Sequence, residues 1–350
     1  MFDYHFASSD LVSEDIKTVT GRVAGGEDLS MDEMAEVIGS IMAGNWQDDE
    51  ISLFLNTLRL KSETVPEIAG AAAAMRTHMT PIRSLREGLI DTCGTGGDGS
   101  GTFNISTAAA IVTAAAGVPV AKHGNRSITS KTGSADVLSH LGVNIEASVA
   151  TVERCLDEVG ICFCFAPQLH ASMKNVAAAR KKLGVPTIFN MLGPLCNPAS
   201  APYQLLGVGK PELRPKLAQA LSLLGAKRAV VVCGEDGLDE VTISGQTNVS
   251  DVRDSTTQEL TWQPSDFGIE EADKDLMRVD GPEASAAMIR RILAGQAGPP
   301  RDIVVLNAAA ALWTASLDQS LQACAERAAS AIDSGAASDL LTKLAETSHA

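Results

Sequence analysis

Residues 89–126 read LIDTCGTGGDGSGTFNISTAAAIVTAAAGVPVAKHGNR, and this stretch decides the fold. It opens on a short apolar run, Leu89 to Cys93, and then places five glycines between Gly94 and Gly101. A segment of helix length follows from about Ile105 to Ala116, and a second apolar run, Val118 to Lys122, closes the unit. Strand, glycine loop, helix, strand is the repeating unit of a parallel sheet, whose neighbouring strands need a crossover between them. Working outward, ICFCFA (161–166), YQLLGVG (203–209) and RAVVVCG (228–234) read as further strands. Helix-length segments at 134–141, 148–159 and 211–224 separate them. The expected fold is therefore α/β, with a mostly parallel central sheet covered by helices.

The flanks differ in texture. The first 85 or so residues read as helices only: Ser30 to Glu33 and Thr64 to Glu67 have capping-box spacing, and Ile51, Phe54, Leu55 and Leu58 recur on one helical face. After about 280 the chain is helical again. Residues 173–200 are helical and then Pro/Gly-rich, without a strand of their own. The expected division is a helical domain at 1–86, with 173–200 packing back on it, and an α/β domain at 87–350.

The glycine loop supplies chemistry as well as a turn. Backbone N–H groups can approach an anion there, at the start of the helix that opens near Asn104, and phosphate is the natural guest. Gly94, Gly96 and Gly99 satisfy G-x-G-x-x-G, but a dinucleotide site wants an acid about 20 residues on, and none occurs before Asp136. Residues 124–132 lack the second glycine of a P-loop. A second polar segment, Lys122 to Ser134, follows the next strand and should face the first loop across one sheet edge. His123 alone carries little weight, since an isolated histidine is more often structural.

Composition narrows the partners. The 350 residues have a net charge of −15, which argues against general nucleic-acid or anionic-membrane binding. Yet residues 99–135 and 159–211 contain no Asp or Glu and hold eight Lys/Arg. Burial would deplete both signs, so the pattern points to an anion-binding region inside an acidic protein. Seven cysteines without a Cys-x-x-Cys pair suggest neither disulfides nor a zinc knuckle, and Cys162 and Cys164 read as filling one strand face. The N-terminus shows no basic segment before an apolar stretch, and no apolar run approaches a membrane span, so a cytoplasmic protein is expected.

Several motifs together carry a resemblance. Gly94-Thr95-Gly96-Gly97-Asp98, Asn104-Ile105-Ser106-Thr107, Lys122-His123-Gly124-Asn125-Arg126, Gly133-Ser134-Ala135-Asp136, Asn175-Val176, Arg180, Thr187-Ile188-Phe189-Asn190, Leu192-Gly193-Pro194-Leu195, Asn197-Pro198, Gly234 to Glu240 and Asp266-Phe267-Gly268 are similar in order and spacing to the anthranilate phosphoribosyltransferase family. The resemblance runs from about residue 13 to near the C-terminus. It implies a nucleoside phosphorylase/phosphoribosyltransferase type of fold. It also implies transfer of a 5-phosphoribosyl group from phosphoribosyl diphosphate to the amine of anthranilate, in tryptophan biosynthesis, by a homodimer.

Carried over by motif, the donor would be held by Gly94, Gly97, Asp98, Thr102, Asn104, Ile105, Ser106, Thr107, Lys122, His123, Gly124, Asn125, Arg126, Ser127, Ile128, Thr129, Ser130 and Ser134. Anthranilate would be held by Gly94, Asn125 and Arg180, with His123 and Gly193 close by. Ser106, Asp239 and Glu240 resemble the family's Mg2+ ligands, although by the residues alone a solvated turn reads Asp239-Glu240 equally well. No general base is implied. Departures are His170-Ala171-Ser172-Met173, where the family more often has His-Pro-Ala-Met, Pro186, where an arginine is common, and Thr129 to Thr132, a variant of the usual small-residue turn. Pyrimidine nucleoside phosphorylases resemble the same fold but carry a Lys-x-Ser segment where Lys122-His123-Gly124-Asn125 stands. Nucleic-acid-binding paralogues are the remaining alternative, and the acidic charge counts against them.

Overall fold

The computed structural model describes residues 15–126, 132–315 and 320–350. Four helices come first: α1 (Ile16–Ala24), α2 (Met31–Met42), α3 (Asp48–Lys61) and α4 (Val65–Thr77). Both expected capping boxes are present, each satisfying two backbone donors that a helix start leaves unpaired. Glu67, wholly buried, does more than cap α4, because its carboxylate also accepts from Leu29 N–H at 3.0 Å and pairs with Lys61 at 3.0 Å. Ile51, Phe54, Leu55 and Leu58 form the buried face of α3.

The chain then alternates through β1 (Ile90–Gly94), α5 (Ile105–Ala115), β2 (Val120–Gly124), α6 (Ser134–His140), α7 (Val149–Arg154) and β3 (Ile161–Phe165). Next come α8 (Ala166–Leu169), α9 (Lys174–Leu183), α10 (Phe189–Leu192), β4 (Tyr203–Gly207), α11 (Leu213–Leu223) and β5 (Arg228–Gly234). A hairpin, β6 (Thr247–Arg253) and β7 (Thr256–Trp262), precedes α12 (Pro282–Leu293), α13 (Pro299–Ala315), α14 (Leu321–Asp333) and α15 (Ala336–Ser348). The helix expected at 148–159 divides into α7 and a π turn, Cys155–Val159, that ends at Gly160.

The strands form one seven-stranded sheet in the order β3-β2-β1-β4-β5-β6-β7, parallel as far as β5 and antiparallel through the hairpin. The parallel part matches the expectation, and the hairpin adds to it. Its strands are polar: four of the first four residues of β7 are exposed, so no apolar run announced it. Cys162 and Cys164 share one face of β3 with their Sγ atoms 3.8 Å apart, and the seven cysteines are free thiols.

Two apolar clusters lie on the two faces of the sheet. One contains the Ala-rich α5 and α13, whose small side chains let helices pack closely against β1, β2 and β4. The other joins α2, α3 and α4 to Val176 and Ala179 of α9, to Ile188, Leu192 and Leu195, and to Leu206, Val231 and Val252 of the sheet. The apolar core under the first helices thus runs without a break into one sheet face. Among the described residues, no helix is long and apolar enough to cross a membrane.

Candidate active site

From β1 the chain moves outward to β2 and β3, then returns to lay β4 on the other side of β1. Strand order reverses between β1 and β4, and in open α/β sheets the crevice at the carboxyl ends of such strands is where ligands bind. Gly94 and Gly207 face each other there as paired last residues of β1 and β4. The turn after β5 presses down on them. A Cβ on Gly207 would lie 1.7 Å from the Asp239 carbonyl oxygen, and one on Gly94 would lie 2.6 Å from Asp239 Oδ2. Only glycine permits that approach.

A cleft of about 1540 Å³ opens over this point. One wall is the glycine loop, in which Gly96 and Gly97 take φ of 66° and 82°, the left-handed region that suits glycine. Gly96 N–H donates to Asp239 Oδ2 at 2.9 Å. The loop ends at Asn104, whose side chain caps α5 by accepting from Thr107 N–H at 2.9 Å and donates to Thr132 O at 2.6 Å. Lys122 is buried, with Nζ 3.1 Å from Ser106 Oγ and 2.6 Å from the Thr92 carbonyl. Burial lowers its pKa, and Asp91 opposes that shift.

Asp239 and Glu240 lie on the cleft floor rather than in a solvated turn. Burial, and next the Asp98 carboxylate, push Asp239 up to about 7. Burial, and next Asp239, push Glu240 well above the usual carboxylate range, with Lys122 pulling the other way. Two crowded carboxylates, with the Ser106 backbone hydrogen-bonded to Glu240, present hard oxygens, and with the Ser106 hydroxyl lining the same cleft this donor set fits Mg2+. Among the described residues no three His, Cys, Asp or Glu side chains gather to hold an ion by themselves.

The far wall is helical. Arg180, on α9, faces the cleft half-buried, with its guanidinium 5.7 Å from the Phe189 ring centroid and no carboxylate in ion-pair range among the described residues. His123 is held between backbone and a second histidine. Its Nδ1 lies 3.0 Å from Gly193 O, and its Nε2 lies 3.2 Å from His170 Nε2, so one proton is shared between those two atoms. Burial and then His170 hold His123 down to about 3, and burial holds His170 to about 4.

Of the residues named from sequence, Gly94, Gly97, Asp98, Thr102, Asn104, Ile105, Ser106, Lys122, His123, Gly124, Asn125, Arg126, Ser134, Arg180, Asp239 and Glu240 line this one cleft. Thr107 is set back from it, wholly buried. Ile105 buries its side chain in the core, leaving its backbone at the wall. Arg126 meets Asp136 at 3.1 Å and Glu146 at 3.3 Å and lies over Phe165, so its fork is already engaged by acids. Ser127, Ile128, Thr129 and Ser130 lie outside the described residues. The sequence reading missed Met75 and Arg278, which also line the cleft. Arg278 arrives through a bridge to Thr102, a long-range pairing that no local motif signals.

Residues 17–79 match the model described as "Glycosyl transferase family, helical bundle domain", and residues 86–338 match "Glycosyl transferase family, a/b domain". Anthranilate phosphoribosyltransferase of Rhodopirellula baltica is 50% identical over 322 residues, 92% of this chain and 94% of that protein. The enzyme of that name from Rhodospirillum rubrum is 50% identical over 332 residues, 95% of each. This chain belongs to the anthranilate phosphoribosyltransferase family. Among solved structures, the Thermus thermophilus anthranilate phosphoribosyltransferase superposes with a TM-score of 0.89 at 41% identity, covering 95% of this chain and 99% of that one. The Saccharomyces cerevisiae anthranilate phosphoribosyltransferase in complex with PRPP and Mg gives 0.87 at 29% identity, covering 95% and 98%. Within this family the phosphorylase and nucleic-acid-binding readings are not favoured.

Proposed function

We propose that the cleft transfers the 5-phosphoribosyl group of phosphoribosyl diphosphate to the amine of anthranilate, releasing diphosphate. The observation that carries this reading is one cleft with two unlike ends: a glycine loop, Lys122 and two crowded carboxylates at the sheet, and on α9 an arginine beside Phe189 with no acidic partner among the described residues. The donor's phosphates would be held by N–H groups of residues 94–102, by Asn104, Ser106 and Ser134, and by Lys122. Residues 127–130 belong to the same proposal. Ser106, Asp239 and Glu240 would hold Mg2+, which when bound screens charge on the departing diphosphate. Arg180 would take the anthranilate carboxylate in its planar fork, with the ring against Phe189 and the amine toward Gly94 and Asn125.

Cleavage at the anomeric carbon passes through an oxocarbenium-like state while negative charge grows on the leaving group. Loop donors aimed at that charge would stabilise it, and the two walls would align amine and anomeric carbon. An aromatic amine is neutral and nucleophilic at pH 7, so no strong base is required. We also propose a cytoplasmic homodimer in which Leu53 and Leu60, 60% and 70% exposed on α3, lie in the interface. The deciding assay follows diphosphate release from phosphoribosyl diphosphate and Mg2+ with and without anthranilate, beside phosphorolysis of thymidine and uridine and a single-strand binding assay. Anthranilate-dependent release is expected, and phosphorolysis or strand binding without it would overturn the reading.

A further inference from the structure

Helix α13 packs beside α5 on one face of the sheet, and its middle is made of Ile303, Val304, Leu306, Ala308 and their apolar neighbours. Asn307 interrupts that surface at 0% exposure. A helix built for packing alone would carry a leucine or alanine there, because a buried amide is unfavourable unless its hydrogen bonds are made. They are made, and mostly to one residue outside the helix. Asn307 Oδ1 accepts from Val241 N–H at 2.9 Å, and Nδ2 donates to Val241 O at 3.0 Å and to Ile303 O at 2.9 Å.

Val241 directly follows Glu240. An amide that grips both the N–H and the C=O of one residue fixes that residue's orientation as well as its place. The start of the turn is held separately: Asp236 accepts from Leu238 N–H at 3.2 Å and from Thr242 Oγ1 at 2.9 Å. Gly94 and Gly207 form the floor that stops the turn from sinking. Gly96 N–H holds the Asp239 carboxylate and Lys274 holds Asp236 O at 2.6 Å, and Asn307 is the side chain that fixes the backbone directly after Glu240. The same helix packs on α5, whose first residues bear Ser106.

We propose that Asn307 is the positioning residue of the Asp239-Glu240 turn, holding both carboxylates at the height where they meet the diphosphate end of the donor. The proposal rests on the reading of that turn as the magnesium anchor. The test titrates magnesium diphosphate into the full-length chain by calorimetry, comparing wild type, Asn307→Leu, Asn307→Ala and the reference variant Asp239→Asn/Glu240→Gln. At least one Asn307 variant should fold, bind magnesium diphosphate at least tenfold more weakly, and keep its KM for anthranilate within twofold. Wild-type affinity in a folded Asn307 variant, while the reference variant is weakened, would overturn the proposal alone. Equal losses toward anthranilate and diphosphate, or failure of both Asn307 variants to fold, would make Asn307 a packing residue and overturn it as well. Wild-type affinity in the reference variant would instead remove the anchor reading, and the proposal with it.

Discussion

Arg180 and Lys122 are both cations of acid-free stretches, yet their surroundings differ, and on the proposed function they serve different substrates. Lys122 already serves Ser106 and a carbonyl at the sheet edge, whereas Arg180 waits beside Phe189. A hydrogen bond to a charged group contributes about 1.5–3 kcal/mol, so Arg180→Ala should lower kcat/KM for anthranilate by roughly 10- to 150-fold. The donor's dissociation constant should barely move. Calorimetry of the donor beside steady-state kinetics in anthranilate checks this, and an equal loss in both would show that Arg180 grips diphosphate. The histidine pair gives a pH prediction. His123 and His170, held to about 3 and about 4, are neutral in the folded chain, while the unfolded chain takes up these protons near pH ~6.5. Their contribution to stability is therefore complete above that pH and is lost as pH falls toward 4. Between pH 7 and 5 each ring should account for roughly 1–2 kcal/mol. Urea unfolding at the two pH values should show the loss, and His170→Gln should shrink it; an unchanged difference would mean that His170 is charged in the fold.

The hairpin β6–β7 joins the parallel sheet through the antiparallel β5–β6 ladder, and a buried ion pair crosses that ladder. Arg228 of β5 meets Asp251 of β6 with two bonds of 2.9 and 3.0 Å, donates to Trp313 O at 2.6 Å and lies 3.7 Å from the Trp313 ring centroid. Removing one partner strands the other charge in the core, which costs about 3–5 kcal/mol. Asp251→Ala should lose that much in chemical denaturation, whereas Arg228→Met with Asp251→Leu should recover much of it. A mild loss in the single variant would mean that water reaches Arg228. This hairpin also marks the limit of the sequence reading. β1 to β5 were legible because buried parallel strands are continuous apolar runs, bounded here by glycines. β6 is buried but polar (TNVSDVR), β7 is largely exposed, and the two turn through Asp254 and Ser255 at φ of 46° and 66°, without the Asn-Gly or Asp-Gly that usually signals such a turn. The glycine loop and residues 122–126 could be brought to one sheet edge from residue type and position alone, and they line one cleft. Asp239-Glu240 could not, because its position depends on a turn lying across Gly94 and Gly207, distant in sequence.

At the scale of the molecule, six cations, Lys122, Arg126, Lys174, Arg180, Lys181 and Arg278, line the cleft against four acids, Asp98, Asp239, Glu240 and Asp280, in a chain whose net charge is −15, a local balance that favours anions there. The cleft, at about 1540 Å³, exceeds the roughly 300–1,000 Å³ of pockets that enclose a small ligand. Its two walls belong to different layers: Arg180 and Phe189 with the helices, the phosphate loops with the sheet. We propose that residues 1–86 with 173–200 form one moving body and the remaining α/β part the other. Water must be excluded and the amine brought against the anomeric carbon, so substrate binding should draw the walls together. Small-angle scattering should then show a smaller radius of gyration with magnesium, diphosphate and anthranilate together than with either ligand alone, because each ligand by itself touches one wall. In Arg180→Ala the diphosphate-only profile should match wild type while the compaction on adding anthranilate disappears. An unchanged radius in wild type at saturation of both ligands would mean that the cleft works rigidly, with alignment supplied by the resting fold.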